Sequence, residues 1–152
     1  MKIVYEKKIK SDDIVITPRP VWKCKTCSFY NKRPSCPPFT PSWRDAKEWV
    51  EHYFFALLIK FAVDMKNFEA EKREVINWLL RKESELFEQY PFVFALFPGA
   101  CNLCVDCDFE KTGVCTFPNK VRPSLDALGI EISKLVKLDY SEEVLYSVIL
   151  LD

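Results

Sequence analysis

The sequence predicts a mixed α/β (α+β) fold in which a mixed β-sheet is flanked by two main helices. Two helical patterns, at residues 42–53 and 67–90, alternate with short apolar runs of strand length. The strand-like runs lie at residues 2–9, 13–17, 54–63, 92–97, 130–138 and 145–151. A length of 152 residues fits one domain, residues 1–152.

Each helical segment has a start signal and an apolar face. Ser42 begins a capping-box pattern, and apolar residues then recur at helical spacing on one face. Asn67 is expected to cap the second helix, which runs to about Tyr90, because Pro91 disfavours helix in the residue before it. The two segments are therefore predicted to pack against the sheet through their apolar faces.

The sequence indicates the order of the strands less directly than the positions of the helices. Residues 54–63 are apolar at nearly every position, which predicts a strand covered on both faces. A helix separates this strand from the run at 92–97, and this arrangement favours a parallel pair with a right-handed crossover. The chain is expected to continue with a short helix from Ser124 to Gly129 and to close with two strands, the first over 130–138.

Composition excludes several functional classes. Lys plus Arg and Asp plus Glu both total 22, and this balance argues against nucleic-acid and membrane-surface partners. The apolar runs are far shorter than a membrane span, and residues 1–8 lack the apolar core of a signal peptide. We therefore expect a cytoplasmic location, where thiols stay reduced and clustered cysteines serve as ligands rather than disulfides.

Seven cysteines fall in two tight groups separated by a long stretch without any. The groups are Cys24, Cys27 and Cys36, and then Cys101, Cys104, Cys107 and Cys115. Cysteines that only fill space in a core have no reason to recur every third residue in a polar loop. Two loops that each present several thiolates are what a metal centre requires. All seven cysteines are therefore predicted metal and cofactor ligands.

The spacing of the second group favours an iron–sulfur cluster. Its C-x2-C-x2-C start matches bacterial ferredoxins, although Cys115 follows Cys107 after seven residues and lacks the immediate proline of that pattern. Structural zinc more often uses two separate C-x2-C pairs. We expect a 4Fe–4S cluster, one or two per chain, with zinc as the alternative.

The first group offers only three thiolates, and two interpretations stay open. Either one iron is not held by cysteine, or both loops converge on shared metal. Asp45, His52, water or a small anion could supply the missing ligand. Residues 14–44 carry six basic residues and no acid, which could offset cluster charge or attract a small anionic substrate or an acidic partner.

These motifs resemble an uncharacterised cysteine-rich family of predicted metal-binding proteins, a domain of unknown function. The resemblance runs from about Cys24 to the C-terminus and includes Ser35-Cys36-Pro37-Pro38, Pro98-Gly99-Ala100-Cys101 and Arg122-Pro123-Ser124-Leu125. It implies metal binding through the seven cysteines, usually suspected to be iron–sulfur, and names no reaction. Within it, Arg122 could donate hydrogen bonds to cluster sulfur or a bound anion, and Ser124 could cap a helix.

Three functional hypotheses follow. The first is a redox module that transfers electrons to a partner protein through clusters on both loops. The second is an enzyme whose three-cysteine cluster leaves one iron open to substrate. The third is a zinc-stabilised protein that binds partners, in which metal mainly supplies folding energy. We rank electron transfer first, and the sequence leaves open whether the protein is an enzyme.

Overall fold

The structure is a computed structural model that describes every residue from Met1 to Asp152. Its strands are β1 (Lys2–Lys10), β2 (Phe55–Ala62), β3 (Phe94–Ala95) and β4 (Val144–Leu151). Its helices are α1 (Pro18–Cys24), α2 (Trp43–Glu51), α3 (Phe68–Leu86) and α4 (Asp108–Thr112). The predicted combination of one sheet with two main helices, α2 and α3, is confirmed. No helix has the length and apolar character needed to cross a bilayer.

The sheet has the order β1–β2–β4–β3, and every neighbouring pair is antiparallel. The predicted parallel pair between residues 54–63 and 92–97 is therefore wrong, and so is the expectation of a mixed sheet. Strand β4 lies between β2 and β3 and takes the hydrogen bonds of both. Strands β2 and β3 are both antiparallel to β4, so they run in the same direction as each other. Helix α3 connects them.

The core has two halves, one on each face of the sheet. In β2, Ala56 and Leu58 pack on the α2 face, whereas Ile59 and Phe61 pack on the α3 face. This alternation follows from the two-residue period of a strand. Burial of each large apolar side chain stabilises the fold by about 1.5–3 kcal/mol, so a strand apolar on both faces holds α2 and α3 against opposite sides.

The two main helices begin and end near the predicted positions. Ser42 caps α2, because its Oγ accepts a hydrogen bond from the Asp45 amide at 3.1 Å. Asn67 is the N-cap residue of α3, as predicted, but its side chain makes no capping hydrogen bond. Helix α3 ends at Leu86 rather than near Tyr90, and hydrogen-bonded turns lead from there to β3.

Three predicted strands shrink or vanish. Residues 13–17 contribute a single bridge, Ile16 to Ile130, and residues 92–97 form only the two-residue β3. Residues 130–138 hold a 3₁₀ turn, Ile132–Lys134, in place of a strand. The apolar residues of this last segment pack into the α2-side core from a loop. Their burial explains the pattern without strand pairing.

Candidate metal centre

The first cysteine group is built around helix α1, which the sequence reasoning missed. Thr17 Oγ1 accepts a hydrogen bond from the Arg19 amide at 3.2 Å, and Pro18 occupies the first helical position. This cap followed by proline is the signal that could have revealed the helix. Cys24 is its last residue, and the Cys27 amide donates to the Cys24 carbonyl at 3.0 Å in the turn that follows.

Gly129 anchors the start of α1 to a distant turn. Its carbonyl accepts a hydrogen bond from the Thr17 amide at 2.9 Å, and its φ of +83° is rarely adopted by residues with a side chain. A Cβ at this position would overlap the Thr17 carbonyl oxygen. Only glycine allows the two segments to approach this closely, and the approach fixes where Cys24 lies.

The second cysteine group forms a loop of its own after β3. Cys101 is buried against Ile76 and Phe97, and Cys107 immediately precedes α4. Helix α4 ends at Gly113, whose φ is +80°, and the chain turns back to bring Cys115 toward the other three cysteines. A short helix and a glycine turn therefore close the seven-residue gap that separates this group from the ferredoxin spacing.

The seven cysteines line two separate cavities, divided as four and three. Cys101, Cys104, Cys107 and Cys115 surround one small cavity of about 20 Å³. Cys24, Cys27 and Cys36 line a second, open cavity of about 520 Å³. No cysteine lines both, and all seven are free thiols. We call these the four-cysteine cavity and the three-cysteine cavity.

Ser35 joins the two cavities. Its Oγ lies 3.7 Å from Cys36 Sγ on one side and accepts a hydrogen bond from the Cys101 amide at 2.7 Å on the other. The serine is fully buried. Arg33 adds a second link, because its guanidinium donates to the Cys101 carbonyl at 2.5 Å. The two cysteine groups are thus fixed relative to each other by direct contacts.

Lys72 on α3 is a buried cation without a protein partner. Its side chain is only 8% exposed and lines the three-cysteine cavity, where its ammonium lies beside Gly99. It makes no hydrogen bond or ion pair, and its nearest aromatic ring is that of Phe68, with the centroid 5.8 Å from Nζ. Burial lowers the pKa of Lys72, while the negative charge of Glu69, and negative charge on Cys36 or Cys101, would raise it.

Aromatic side chains shield the four-cysteine cavity more than the three-cysteine cavity. Phe109 and Phe117 line the former, and Phe39 packs edge-on against Phe109 with ring centroids 4.8 Å apart. Of the aromatic residues near the first loop, Phe29 lines the three-cysteine cavity, whereas Trp22 is 65% exposed. Aromatic side chains are therefore distributed unevenly between the two cavities.

Comparison with known proteins decides the family. Residues 7–145 match the family described as Predicted metal-binding protein (DUF2284). The chain belongs to this family. No curated protein and no solved structure matches it. The family description supports metal binding and specifies neither the metal nor a reaction.

The donor chemistry of both cavities fits the metal binding that the family implies. Clustered thiolates suit iron–sulfur clusters and zinc, and the unpaired Lys72 suits a site that gains negative charge. The structure contains no group of three or more His, Cys, Asp or Glu side chains arranged to hold one metal ion. The thiols therefore surround their cavities without meeting at a single point.

Four of the seven thiols are poor nucleophiles in the absence of metal. Burial raises the pKa of Cys24 to about 12 and that of Cys101 to about 11, and it also raises the pKa of Cys36 and Cys104. A reactive cysteine needs a lowered pKa, because the thiolate is the attacking species. Covalent catalysis by these four cysteines is therefore disfavoured, and metal binding must displace protons from their thiols.

The structure corrects several of the secondary site predictions. Asp45 and His52, the predicted candidates for a missing ligand, lie at the two ends of α2, are exposed and line neither cavity. Arg122 does not contact a cysteine; its guanidinium binds Glu83 of α3 through two hydrogen bonds, at 3.0 and 2.6 Å. Ser124 acts as predicted, since its Oγ accepts from the Ala127 amide at 3.1 Å and caps the following turn.

One side chain of the three-cysteine cavity escaped the sequence reasoning. Asp126 lines this cavity although it lies more than ten residues from any cysteine in the chain. No local spacing pattern connects a carboxylate to thiols at such a separation. The only sequence signal was its place in the 124–129 segment, which carries part of the family resemblance.

Proposed function

We propose that the protein holds two iron–sulfur clusters of the 4Fe–4S type, one in each cysteine cavity, and transfers single electrons to a partner protein in the cytoplasm. Cys101, Cys104, Cys107 and Cys115 would hold one cluster. Cys24, Cys27 and Cys36 would hold the other. Bound clusters of this kind supply one-electron redox chemistry.

The division of the thiols into two linked sets carries this proposal. A thiol set of four beside a set of three suits two metal centres better than one shared centre. The shortest connection runs from Cys36 through Ser35 to the amide of Cys101, with contacts of 3.7 and 2.7 Å. Because electron tunnelling weakens steeply with distance, such a direct contact favours exchange between two redox centres.

The unpaired Lys72 supports negatively charged centres. Burial of an ammonium group without a counter-ion costs free energy, because water is lost and nothing replaces it. Metal clusters held by several thiolates carry net negative charge. Glu69 offsets part of the charge of Lys72, and since Cys36 and Cys101 also interact electrostatically with it, one buried lysine can stabilise negative charge in both cavities.

The roles of the other residues follow from their contacts. Arg33 and Ser35 hold the two loops in register, and Phe109 and Phe117 give the four-cysteine cavity an apolar lining. Dry surroundings and hydrogen bonds near the ligands tune the reduction potential of a metal centre. Exposed Lys23 lies at the open cavity, where it can attract an acidic partner.

A second candidate function is an enzyme with an open iron at the three-cysteine cavity. The observation that favours it is the size of this cavity, about 520 Å³, which is within the range of small-molecule sites. A small anionic substrate would meet Lys72 and Lys23 there. We rank it second because the link through Ser35 has no role in such chemistry.

Structural zinc is the third candidate and has one observation in its favour. The four-cysteine cavity measures about 20 Å³, which is room for roughly one water molecule. A single ion needs less space than a four-iron cluster, and the loop must widen to hold the cluster. The metal would then mainly stabilise the fold, and the protein would act by binding partners.

Metal analysis of protein purified without oxygen distinguishes the three candidate functions. We expect iron and acid-labile sulfide in nearly equal amounts, a visible absorption band that bleaches reversibly with dithionite, and an electron-paramagnetic signal in the reduced form. Zinc without iron or sulfide would contradict the proposal and favour the third candidate. Iron–sulfur protein that never changes redox state, but whose spectrum responds to small anions, would favour the second.

A further inference from the structure

The three-cysteine cavity lacks a fourth thiol but contains a free carboxylate. We propose that the side chain of Asp126 is the fourth ligand of the metal centre formed by Cys24, Cys27 and Cys36. The inference rests on the proposed metal binding by these cysteines, and it applies to iron and zinc alike. Both metals accept carboxylate oxygen beside thiolate sulfur.

Two fixed contacts place Asp126 at the cavity. It begins the 3₁₀ turn Asp126–Leu128, which Ser124 caps from one side and the left-handed Gly129 ends on the other. This turn packs against α1, the helix whose last residue is Cys24. The same Gly129 contact that positions Cys24 therefore also fixes Asp126, and both residues line the same cavity.

The Asp126 carboxylate has no other task in the fold. It makes no hydrogen bond or ion pair; the residue is exposed to solvent at the open cavity, while the protein atoms beside its carboxyl raise the pKa of that group by desolvation. The other acid of the cavity, Glu131, differs in this respect, because Arg19 Nε donates to its carboxylate at 2.5 Å. A carboxylate that lines the same cavity as three thiols, and that no protein group engages, is free to bind a cation there.

Electrostatic proximity agrees with this geometry. After burial, the negative charge of Asp126 contributes most to raising the pKa of Cys24, ahead of Cys36 and Cys27. Like charges that repel in the empty cavity become a ligand set when a cation lies between them. Lys72 cannot serve as the ligand while it is protonated, because an ammonium group has no free electron pair.

A carboxylate ligand gives this centre a property that the four-cysteine centre lacks. Soft thiolates suit iron–sulfur and zinc sites better than carboxylates do. Asp126 would therefore be the weakest ligand of the set and the one that an incoming thiol displaces first. Bound metal would then be held by Cys24, Cys27, Cys36 and Asp126, and the carboxylate would be the ligand most easily exchanged.

The test measures how fast each centre loses metal. Full-length wild type and the variants Asp126→Ala, Asp126→Asn, Asp126→Cys and Glu131→Gln are reconstituted without oxygen with ferrous iron and sulfide, and separately with zinc. Metal release to a chelator is then followed over time. We expect one fraction of the metal to leave at least tenfold faster from Asp126→Ala and Asp126→Asn, and more slowly than wild type from Asp126→Cys.

Glu131→Gln is the matched control. It removes an acid that lines the same cavity but is already bound to Arg19. Its release rate should equal that of wild type. Mössbauer spectra of iron-57 protein should show one distinct iron site in wild type that disappears in Asp126→Cys. The inference is overturned if the Asp126 variants release metal like wild type, or if Glu131→Gln is equally labile.

The failure of this inference is distinguishable from failure of the proposed function. Zinc in place of iron in the native protein would overturn electron transfer, while the zinc-release rates would still decide the role of Asp126. Wild type that binds neither metal would overturn both. The isosteric Asp126→Asn variant, checked for a native circular dichroism spectrum, separates loss of a ligand from loss of the fold.

Discussion

The two cysteine groups differ in what assembles them. The four-cysteine cavity is closed by one continuous loop, in which α4 and the Gly113 turn return the chain to its start. The three-cysteine cavity combines the end of α1 with Lys72 from α3 and with the 124–133 region, which are far apart in sequence. A local motif therefore builds the four-cysteine cavity, whereas the three-cysteine cavity depends on long-range packing.

The largest expected effects separate the two cavities directly. Cys107→Ser should abolish metal binding at the four-cysteine cavity and leave the other centre loaded, because no cysteine is shared between them. Cys27→Ser should do the reverse. Each variant is the control of the other, and metal analysis after anaerobic reconstitution provides the measurement. If either substitution removed all metal, one shared centre would replace the two.

A glycine pair tests the dependence on long-range packing. Gly129→Ala forces a positive φ on a residue with a side chain and also drives its Cβ into Thr17, so it should cost more than the usual ~1–3 kcal/mol of backbone strain. Gly113→Ala has a similar φ of +80°, but its Cβ meets no atom within 4 Å, so it reports the strain alone.

The two glycine substitutions should also differ in their effect on metal binding at the three-cysteine cavity. Gly129→Ala displaces α1 and should weaken metal binding only at the three-cysteine cavity, whereas Gly113→Ala should leave that cavity unchanged. Urea unfolding of the metal-free proteins measures the difference in stability, and metal titration measures the site. Equal losses of stability in the two variants would mean that the Thr17 contact contributes nothing.

The sequence predicts the local features of the fold but not the long-range ones. The strands β1, β2 and β4, the helices α2 and α3 and the grouping of the cysteines all follow from short-range patterns of polarity and spacing. The insertion of β4 between β2 and β3 does not, since it depends on which strand edges meet in three dimensions. Apolar residues 130–138 mimic a strand, yet they are buried from a loop.

The site shows the same limit. The link from Ser35 to Cys101 joins residues 66 positions apart, and no spacing rule predicts it. Arg122 and Asp126 lie close together in sequence near Ser124, but the fold pairs the first with Glu83 and places the second in the lining of the three-cysteine cavity. Residue type indicates what a side chain can bind, whereas only packing decides what it meets.

The contact between the cavities can be weakened without touching a cysteine. Ser35→Ala removes the acceptor for the buried Cys101 amide and should lower the free energy of unfolding by about 1–3 kcal/mol. It should also slow electron exchange between the centres. Ser28→Ala is the control, because Ser28 is exposed and lies in the same loop. A Ser35→Ala protein as stable as this control would show that the link is energetically unimportant.

The smallest expected effect is also the one that reports on charge in both cavities at once. Lys72→Met removes a buried, unpaired cation, so the metal-free protein should become more stable, by on the order of 1 kcal/mol. In the metal-loaded protein the same substitution removes the counter-charge of anionic centres, so the reduction potentials of both should fall. Lys66→Met, which removes an exposed cation, is the matched control and should change neither quantity.

Lys72→Met is expected to raise the stability of the metal-free protein and to lower the reduction potentials of the metal-loaded protein. This combination makes the test decisive for the role of Lys72. A lysine that served only packing would change the stability of both forms in the same direction and leave the potentials unchanged. A shift in one potential alone would assign Lys72 to a single cavity. A shift in both, with a more stable metal-free protein, is expected only if one cation balances two negatively charged centres across the contact formed by Ser35.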